Sequence, residues 1–294
     1  MKLWTRRSVS FGLVAAPLLL RMRPAGAGAE PDLPAIETTL GGRLGVAAVS
    51  ADRVLVSHRA DERFPMCSTF KVLAVAAVLA RVDAGVETLD RVVPYGPADL
   101  LSYAPVTRKA LESAGGTGRM PVSALCAAAL EWSDNTAANL LLASLGGPEG
   151  LTGWLRGSGD PLTRLDRTEP TLNSAHVGDP RDTTTPEAMR GTLGRILLGS
   201  VLSEPSRDRL EGGMIACQTG SKRLRAGLPT DWTVGDKTGS GDNGTVNDVA
   251  ILRPPGRAPV IVAVYVTGAT APAAAVESAY AGIGRLIAAR AAAA

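Results

Sequence analysis

The chain has 294 residues, 45% hydrophobic and 20% charged, which is typical of a soluble globular protein with one large domain or two modest ones. Residues 1–27 hold five basic and no acidic side chains, so the remainder has 26 basic and 28 acidic residues, a net charge of −2. This balance gives no electrostatic support for a nucleic acid or an anionic membrane as a partner.

The N-terminus has the layout of a secretory signal peptide. Basic residues precede an apolar run at 11–20, and small residues follow it. The apolar run is too short for a transmembrane helix. We expect residues 1–29 to be removed and the protein to be exported, periplasmic or secreted, without a membrane partner. Arg6 and Arg7 leave the twin-arginine route open beside the general secretory route.

The cysteines and histidines do not indicate a metal site. Cys67, Cys126 and Cys217 include no C-x-x-C pair, and an odd number leaves at least one free thiol. His58 and His176 have no second ligand at helical spacing. The sequence therefore predicts no zinc site of the usual kinds, no cofactor and no Ser-His-Asp triad.

The predicted secondary structure changes from strands to helices and back to strands along the chain. Alternating residues predict a β-hairpin that turns at Ala51 and Asp52. From Ser68 to about Cys217 the apolar spacing is mostly helical. Strands at 231–239, 246–255 and 258–268 and an alanine-rich helix at 273–291 follow. Four prolines stand at predicted helix starts, where a missing N–H costs nothing: Pro121, Pro148, Pro186 and Pro205.

Strands at both ends with helices between them predict an α+β fold. Residues 30–66 and 217–294 are expected to form an α/β domain, and residues 67–216 an inserted all-helical domain. One stretch within the helical region, 167–182, is long and polar, carries two prolines and follows neither period. It is predicted to be a functional Ω-type loop.

Ser68 and Lys71 stand three residues apart at the start of an apolar helix, so they share one helix face. A lysine pressed against the interior tends to lose its proton, and a serine beside a neutral amine can become a nucleophile. The alternative is a helix N-cap serine followed by a surface lysine, because S-x-x-K alone is common.

Three further motifs follow in order: Ser133-Asp134-Asn135, then Glu169 with Asn173 four residues on, then Lys237-Thr238-Gly239. With S-x-x-K, this series resembles the class A serine β-lactamases from about residue 36 to the C-terminal helix. The resemblance implies an antiparallel sheet flanked by N- and C-terminal helices, and a monomer that needs no cofactor. It also implies hydrolysis of penicillin- and cephalosporin-type antibiotics through a serine acyl-enzyme, which gives antibiotic resistance.

The resemblance assigns roles in acylation. Ser68 would be the nucleophile, and either Lys71 or Glu169 acting through a water would take its proton. Ser133 would pass a proton to the departing nitrogen. The backbone N–H groups of Ser68 and Ser240 would form the oxyanion hole.

The resemblance also assigns deacylation and binding. Glu169 and Asn173 would hold the hydrolytic water, in a loop closed by an Arg167–Asp182 ion pair and containing a cis bond before Pro170. The predicted substrate contacts are Asn135 for the side-chain amide, Lys237, Thr238, Ser240 and Arg223 for the carboxylate, and Tyr103 at the rim. Arg223 is favoured over Arg225.

The cysteines depart from the family pattern. In some members the residue at Cys67 is bridged to the position that is Gly241 here, and another bridge would pair Cys126 with Val75. Neither bridge can form, so all three thiols are expected to be reduced and buried.

Three other functions remain open. A penicillin-binding D,D-peptidase should lack the loop glutamate with its partner asparagine. A β-lactam sensor would stay acylated and would usually carry a membrane segment. A plain structural α+β module predicts no reaction at Ser68.

Overall fold

The computed structural model describes Met1 and residues 31–293. The predicted signal peptide, residues 1–29, lies outside the described residues apart from Met1. In the part that is described, no helix is long and apolar enough to span a membrane.

Five strands form one antiparallel sheet, in which they lie side by side in the order β2 (Arg53–His58), β1 (Arg43–Ser50), β9 (Val260–Thr267), β8 (Thr245–Arg253) and β7 (Thr233–Gly241). The predicted hairpin is confirmed, because β1 and β2 turn at Ala51, whose φ is 48°, and Asp52. The other strands within residues 31–293 are β3 (Phe64–Pro65), β4 (Val92–Tyr95), β5 (Gly118–Pro121) and β6 (Thr183–Thr184).

Helices recur from Phe70 to Ile215, where the apolar spacing is helical, and the predicted alanine-rich helix is present. All four prolines stand at helix starts. Within residues 31–293 the helices are α1 (Leu33–Leu40), α2 (Phe70–Asp83), α3 (Pro105–Ser113), α4 (Val122–Glu131), α5 (Asn135–Ser144), α6 (Gly147–Gly157), α7 (Pro186–Leu197), α8 (Glu204–Ile215) and α9 (Ala273–Ala292).

Each face of the sheet has its own apolar core. On one face, Val264 and its neighbours pack against Leu40 of α1 and Ile283 of α9. On the other, Tyr265 and Ile251 join the apolar side chains of the helices that lie between β3 and β7 in the chain. The α+β class and the flanking N- and C-terminal helices are thus confirmed. A separate all-helical domain at 67–216 stays a prediction.

Helix α2 is apolar on every side and is therefore buried, as such a helix must be. All of its residues from Phe70 to Leu79 are buried, and Lys71 is the only charged side chain among them. A 3-10 turn, Cys67–Thr69, precedes α2, so Ser68 lies in that turn, two residues before the α-helix, and not within the helix that the spacing predicts. The buried helix α2 and the turn before it thus hold Lys71 and Ser68 in fixed positions.

Candidate active site

A cleft of about 400 Å³ brings the predicted site residues together. Eight of the eleven line it, and Thr219 is an additional lining residue that the sequence did not indicate. The other three, Lys71, Glu169 and Lys237, lie behind the lining and are hydrogen-bonded to it. The lining residues are Ser68, Tyr103, Ser133, Asn135, Asn173, Thr219, Arg223, Thr238 and Ser240.

Ser68 is held at the floor of the cleft with only 8% of its surface exposed. Its Oγ donates a hydrogen bond to Glu169 Oε1 at 2.9 Å. The preceding residue, Cys67, has a φ of 45°, which a residue with a side chain rarely adopts. The surrounding structure must therefore hold this turn in place.

Lys71 is fully buried and makes four polar contacts. Its Nζ lies 3.0 Å from Glu169 Oε1 and donates to Ser133 O at 2.7 Å, Ser133 Oγ at 3.2 Å and Asn135 Oδ1 at 2.5 Å. Burial lowers the pKa of Lys71, against the opposing pull of the Glu169 carboxylate. Because one carboxylate oxygen contacts both Ser68 and Lys71, both candidate acylation bases are in place.

Glu169 is 2% exposed and is oriented by its own loop. Its Oε2 accepts a hydrogen bond from Asn173 Nδ2 at 2.5 Å, and the Glu169-Pro170 bond is cis. The predicted closing ion pair is confirmed, with Arg167 Nε 2.5 Å from Asp182 Oδ2. The carboxylate is thus held behind Ser68 by a loop whose two ends are tied together.

Asn139 of α5 is a second anchor of this loop. Its Nδ2 donates to Glu169 O at 2.9 Å, and its Oδ1 accepts from Glu169 N at 3.0 Å. Asn139 was not predicted from the sequence. It lies 30 residues from its partner, and the only signal was an amide within the otherwise apolar run at 137–143.

Ser133 stands between the two buried lysines. Its Oγ accepts hydrogen bonds from Lys237 Nζ at 3.0 Å and from Lys71 Nζ at 3.2 Å. Asp134 caps helix α5 by accepting from Ala137 N at 2.9 Å, which fixes the turn that carries Ser133. A hydroxyl held between two amines is suited to pass a proton from one side of the cleft to the other.

Lys237 and Thr238 lie on β7 at the edge of the cleft. Burial, together with the charge of Lys71, lowers the pKa of Lys237 to about 8. Thr238 Oγ1 lies 2.5 Å from Thr219 Oγ1, so the hydroxyl of Thr219 extends the polar wall. Cation and hydroxyls together can hold a carboxylate here.

The two candidate arginines have different neighbours. Arg223 lines the cleft, and its Nη2 donates to Ser240 Oγ at 3.1 Å. Arg225 Nε instead donates to the buried Asp236 Oδ1 at 2.7 Å. Arg223 is therefore the one that the cleft presents to a ligand. Tyr103 stands at the rim and is 49% exposed.

The three cysteines are free and buried, as expected. Burial raises the pKa of each thiol, that of Cys126 to about 12. A Cβ on Gly241 would lie 2.6 Å from Cys67 Sγ, so these two positions are neighbours and only the second sulfur is missing. Among residues 31–293, no three His, Cys, Asp or Glu side chains are grouped as a metal ion would require.

Comparison with known proteins gives one family. Residues 32–291 match the β-lactamase enzyme family. β-Lactamase CTX-M-8 of Citrobacter amalonaticus is 48% identical over 268 residues, which are 91% of this chain and 89% of that protein. β-Lactamase AST-1 of Nocardia asteroides is 51% identical over 240 residues, 81% of this chain and 76% of its own length.

Solved structures agree. The class A β-lactamase described as the last common ancestor of Gram-negative bacteria is 56% identical and superposes with a TM-score of 0.84. The match covers 87% of this chain and 97% of that one. The four motifs, the cleft that joins them and these matches lead to one assignment: the chain belongs to the β-lactamase enzyme family, class A.

Proposed function

We propose that this chain hydrolyses the β-lactam ring of penicillin- and cephalosporin-type antibiotics through an acyl-enzyme on Ser68, and so gives antibiotic resistance. One observation carries the proposal. A single carboxylate oxygen, Glu169 Oε1, lies within hydrogen-bond distance of both Ser68 Oγ and Lys71 Nζ. The nucleophile and both possible proton acceptors are therefore in contact before substrate arrives.

Acylation begins with attack of Ser68 Oγ on the ring carbonyl carbon. The serine proton passes to Lys71, or through a water to Glu169, and backbone N–H groups of Ser68 and Ser240 stabilise the oxyanion. The carbon–nitrogen bond of the ring then breaks. Ser133, between Lys71 and Lys237, delivers the proton that the departing nitrogen needs.

Deacylation needs a water activated against the ester. Glu169 supplies the base, and Asn173, already bonded to its Oε2, orients the water with it. The water adds to the ester carbonyl and gives its proton to Glu169, and Glu169 returns that proton to the Ser68 oxygen as the acyl–oxygen bond breaks. The product is the ring-opened acid.

Substrate binding uses the polar residues that line the cleft and Lys237 behind them. The cationic Lys237 and Arg223 and the hydroxyls of Thr238 and Ser240 surround the position of the substrate carboxylate. Asn135 supplies hydrogen bonds for the side-chain amide, and Tyr103 packs at the rim. We further propose that the enzyme acts as a monomer outside the cytoplasm, after removal of residues 1–29.

A penicillin-binding D,D-peptidase or a sensor is the competing function, since either would stop at a stable acyl-serine. The Glu169–Asn173 pair favours hydrolysis. The test is intact-mass spectrometry of the mature protein with excess benzylpenicillin, while ring opening is followed by absorbance. Fast ring opening with little lasting adduct supports the proposal. A persistent one-to-one adduct without turnover would assign the chain to the competing class.

A further inference from the structure

Four residues lie in one row across the central sheet, and the turn that carries Ser68 packs against this row. Gly45 of β1 pairs with Tyr265 of β9, Tyr265 with Asn247 of β8, and Asn247 with Gly239 of β7. A Cβ on Gly45 would lie 2.5 Å from the Phe64 ring, and one on Gly239 would lie 2.9 Å from Met66 O. The two glycines thus let residues 64–69 lie directly on the sheet.

Asn247 is the polar member of this row and is fully buried. Its Nδ2 donates to Pro65 O at 2.9 Å and to Met66 O at 3.0 Å. Its Oδ1 has no hydrogen-bond partner among the described residues. A buried acceptor without a partner is destabilising, so the favourable contribution of this side chain comes from the two hydrogen bonds that its Nδ2 donates.

Met66 O is where several restraints on the turn meet. Besides Asn247, it accepts hydrogen bonds from Thr69 N at 3.2 Å and Thr69 Oγ1 at 2.8 Å. Thr69 Oγ1 in turn lies 3.1 Å from Tyr265 Oη. On its other side, Met66 N donates to Asp182 O at 2.9 Å, at the closed end of the loop that carries Glu169.

These contacts surround the strained residue next to Ser68. Cys67 lies between the anchored carbonyl of Met66 and Ser68, and its positive φ persists only while neighbouring bonds maintain it. We infer that Asn247 is a positioning residue for Ser68: its amide clamps the Pro65 and Met66 carbonyls and so fixes the turn that presents the Ser68 hydroxyl and N–H. The catalytic consequence rests on the proposed function, whereas the effect on the turn does not.

The test compares Asn247→Ala with Thr245→Val. Thr245 is buried on the same strand, two residues away, and its Oγ1 pairs with Thr267 Oγ1 at 2.9 Å, away from the turn. The native proteins are exposed to N-ethylmaleimide, and labelling of each cysteine is measured by peptide mass spectrometry. Cys67 reports on the turn, while Cys126 and Cys217 serve as internal controls.

We expect Cys67 in the alanine variant to label about tenfold faster than in the wild type, with Cys126 and Cys217 unchanged. The kcat/KM for benzylpenicillin should fall roughly 10- to 100-fold, because small displacements of a nucleophile have large effects. Thr245→Val should show neither effect. If the alanine variant does not fold, Asn247→Ser, whose hydroxyl is too short to reach both carbonyls, carries the same test.

Equal Cys67 labelling and equal kcat/KM in the Asn247 and Thr245 variants would overturn the inference. So would a uniform rise in labelling of all three thiols, which would mean general destabilisation only. Absence of β-lactam turnover in the wild type would instead refute the proposed function, and the labelling would still decide the role of Asn247.

Discussion

The floor and the rim of the cleft are built on different principles. At the floor, Ser68, Lys71, Ser133, Glu169 and Lys237 are all buried, and each is hydrogen-bonded to another of the five. At the rim, Tyr103 and Ser240 are exposed, and the half-buried Arg223 donates a hydrogen bond to Ser240. The floor is therefore organised before substrate binds, whereas the rim is free to adapt to it.

The burial of a residue determines how large the effect of its substitution should be at the floor and at the rim. Removing one partner from a buried charged cluster leaves the other uncompensated, which costs about 3–5 kcal/mol. An exposed ion pair contributes only about 0–1 kcal/mol. We therefore expect floor substitutions to affect the chemical steps and rim substitutions to affect mainly KM.

The largest effect is expected from Ser68→Ala. Without the nucleophilic oxygen, β-lactam turnover should fall by a factor on the order of 10⁴ or more, while circular dichroism stays unchanged. Ser240→Ala, the matched serine at the rim, should lose less than about tenfold. Steady-state hydrolysis of benzylpenicillin checks both. Turnover that survives in Ser68→Ala would refute the nucleophile assignment.

A pH series should isolate Lys237 at the floor. Its pKa of about 8 means that the positive charge facing the substrate carboxylate is lost above that pH, and kcat/KM should then decline by up to about tenfold per pH unit. Lys237→Arg, which stays charged, should move this decline to higher pH.

The stability of the protein should depend on the Lys237 charge in the opposite direction: kcat/KM falls as pH rises, whereas the free energy of unfolding increases. Since folding lowers this pKa, the unfolded chain binds more protons between pH 8 and the ordinary lysine range, so stability from this group rises with pH. Urea titrations of the wild type and Lys237→Arg across this range measure it. For the activity, a wild-type kcat/KM that stays constant up to pH 10 would contradict the assignment of Lys237 to the substrate carboxylate.

Arg223→Gln tests the rim. Losing one cation for the substrate carboxylate should raise KM about five- to tenfold, roughly 1 kcal/mol, with kcat nearly unchanged. Lys222→Gln, an exposed neighbour paired with Glu277, is the matched control and should behave like the wild type. Should kcat fall instead of KM rising, Arg223 would belong functionally to the floor.

The smallest effect is expected from Tyr103→Ala. The ring packs at an exposed rim, so KM should rise only about two- to threefold. The backbone bond from Asn135 N to Tyr103 O, 3.0 Å long, is unaffected by the change. The change in KM is measured by steady-state kinetics with a penicillin and a cephalosporin. A loss in kcat as large as at the floor would erase the distinction between the two regions.

Features with a local signal or a motif could be predicted from the sequence. Alternation located the β1–β2 hairpin, prolines marked helix starts, and four short motifs identified residues that meet in one cleft. The short β3–β6 and β4–β5 ladders were not predicted, because such brief strands show little alternation. Helix α3 was also not predicted, although Thr107 and Leu111, four residues apart, lie on its buried face.

The supporting residues were also missed, for a different reason. Asn139 contacts a loop 30 residues away, and Asn247 contacts carbonyls 181 and 182 residues away. Nothing in the neighbourhood of an asparagine in the sequence reveals which distant carbonyl it will face. Such partners are set by the packing of the sheet against the helices.

The most direct test of the account is the fate of the acyl-enzyme in Glu169→Ala. The variant is mixed with excess benzylpenicillin and followed by intact-mass spectrometry, with the Ser68→Ala/Glu169→Ala double variant as control. We predict a lasting adduct of one penicillin per chain with little turnover, and none in the control. Hydrolysis at the wild-type rate, with no adduct, would contradict the role of Glu169 at the floor.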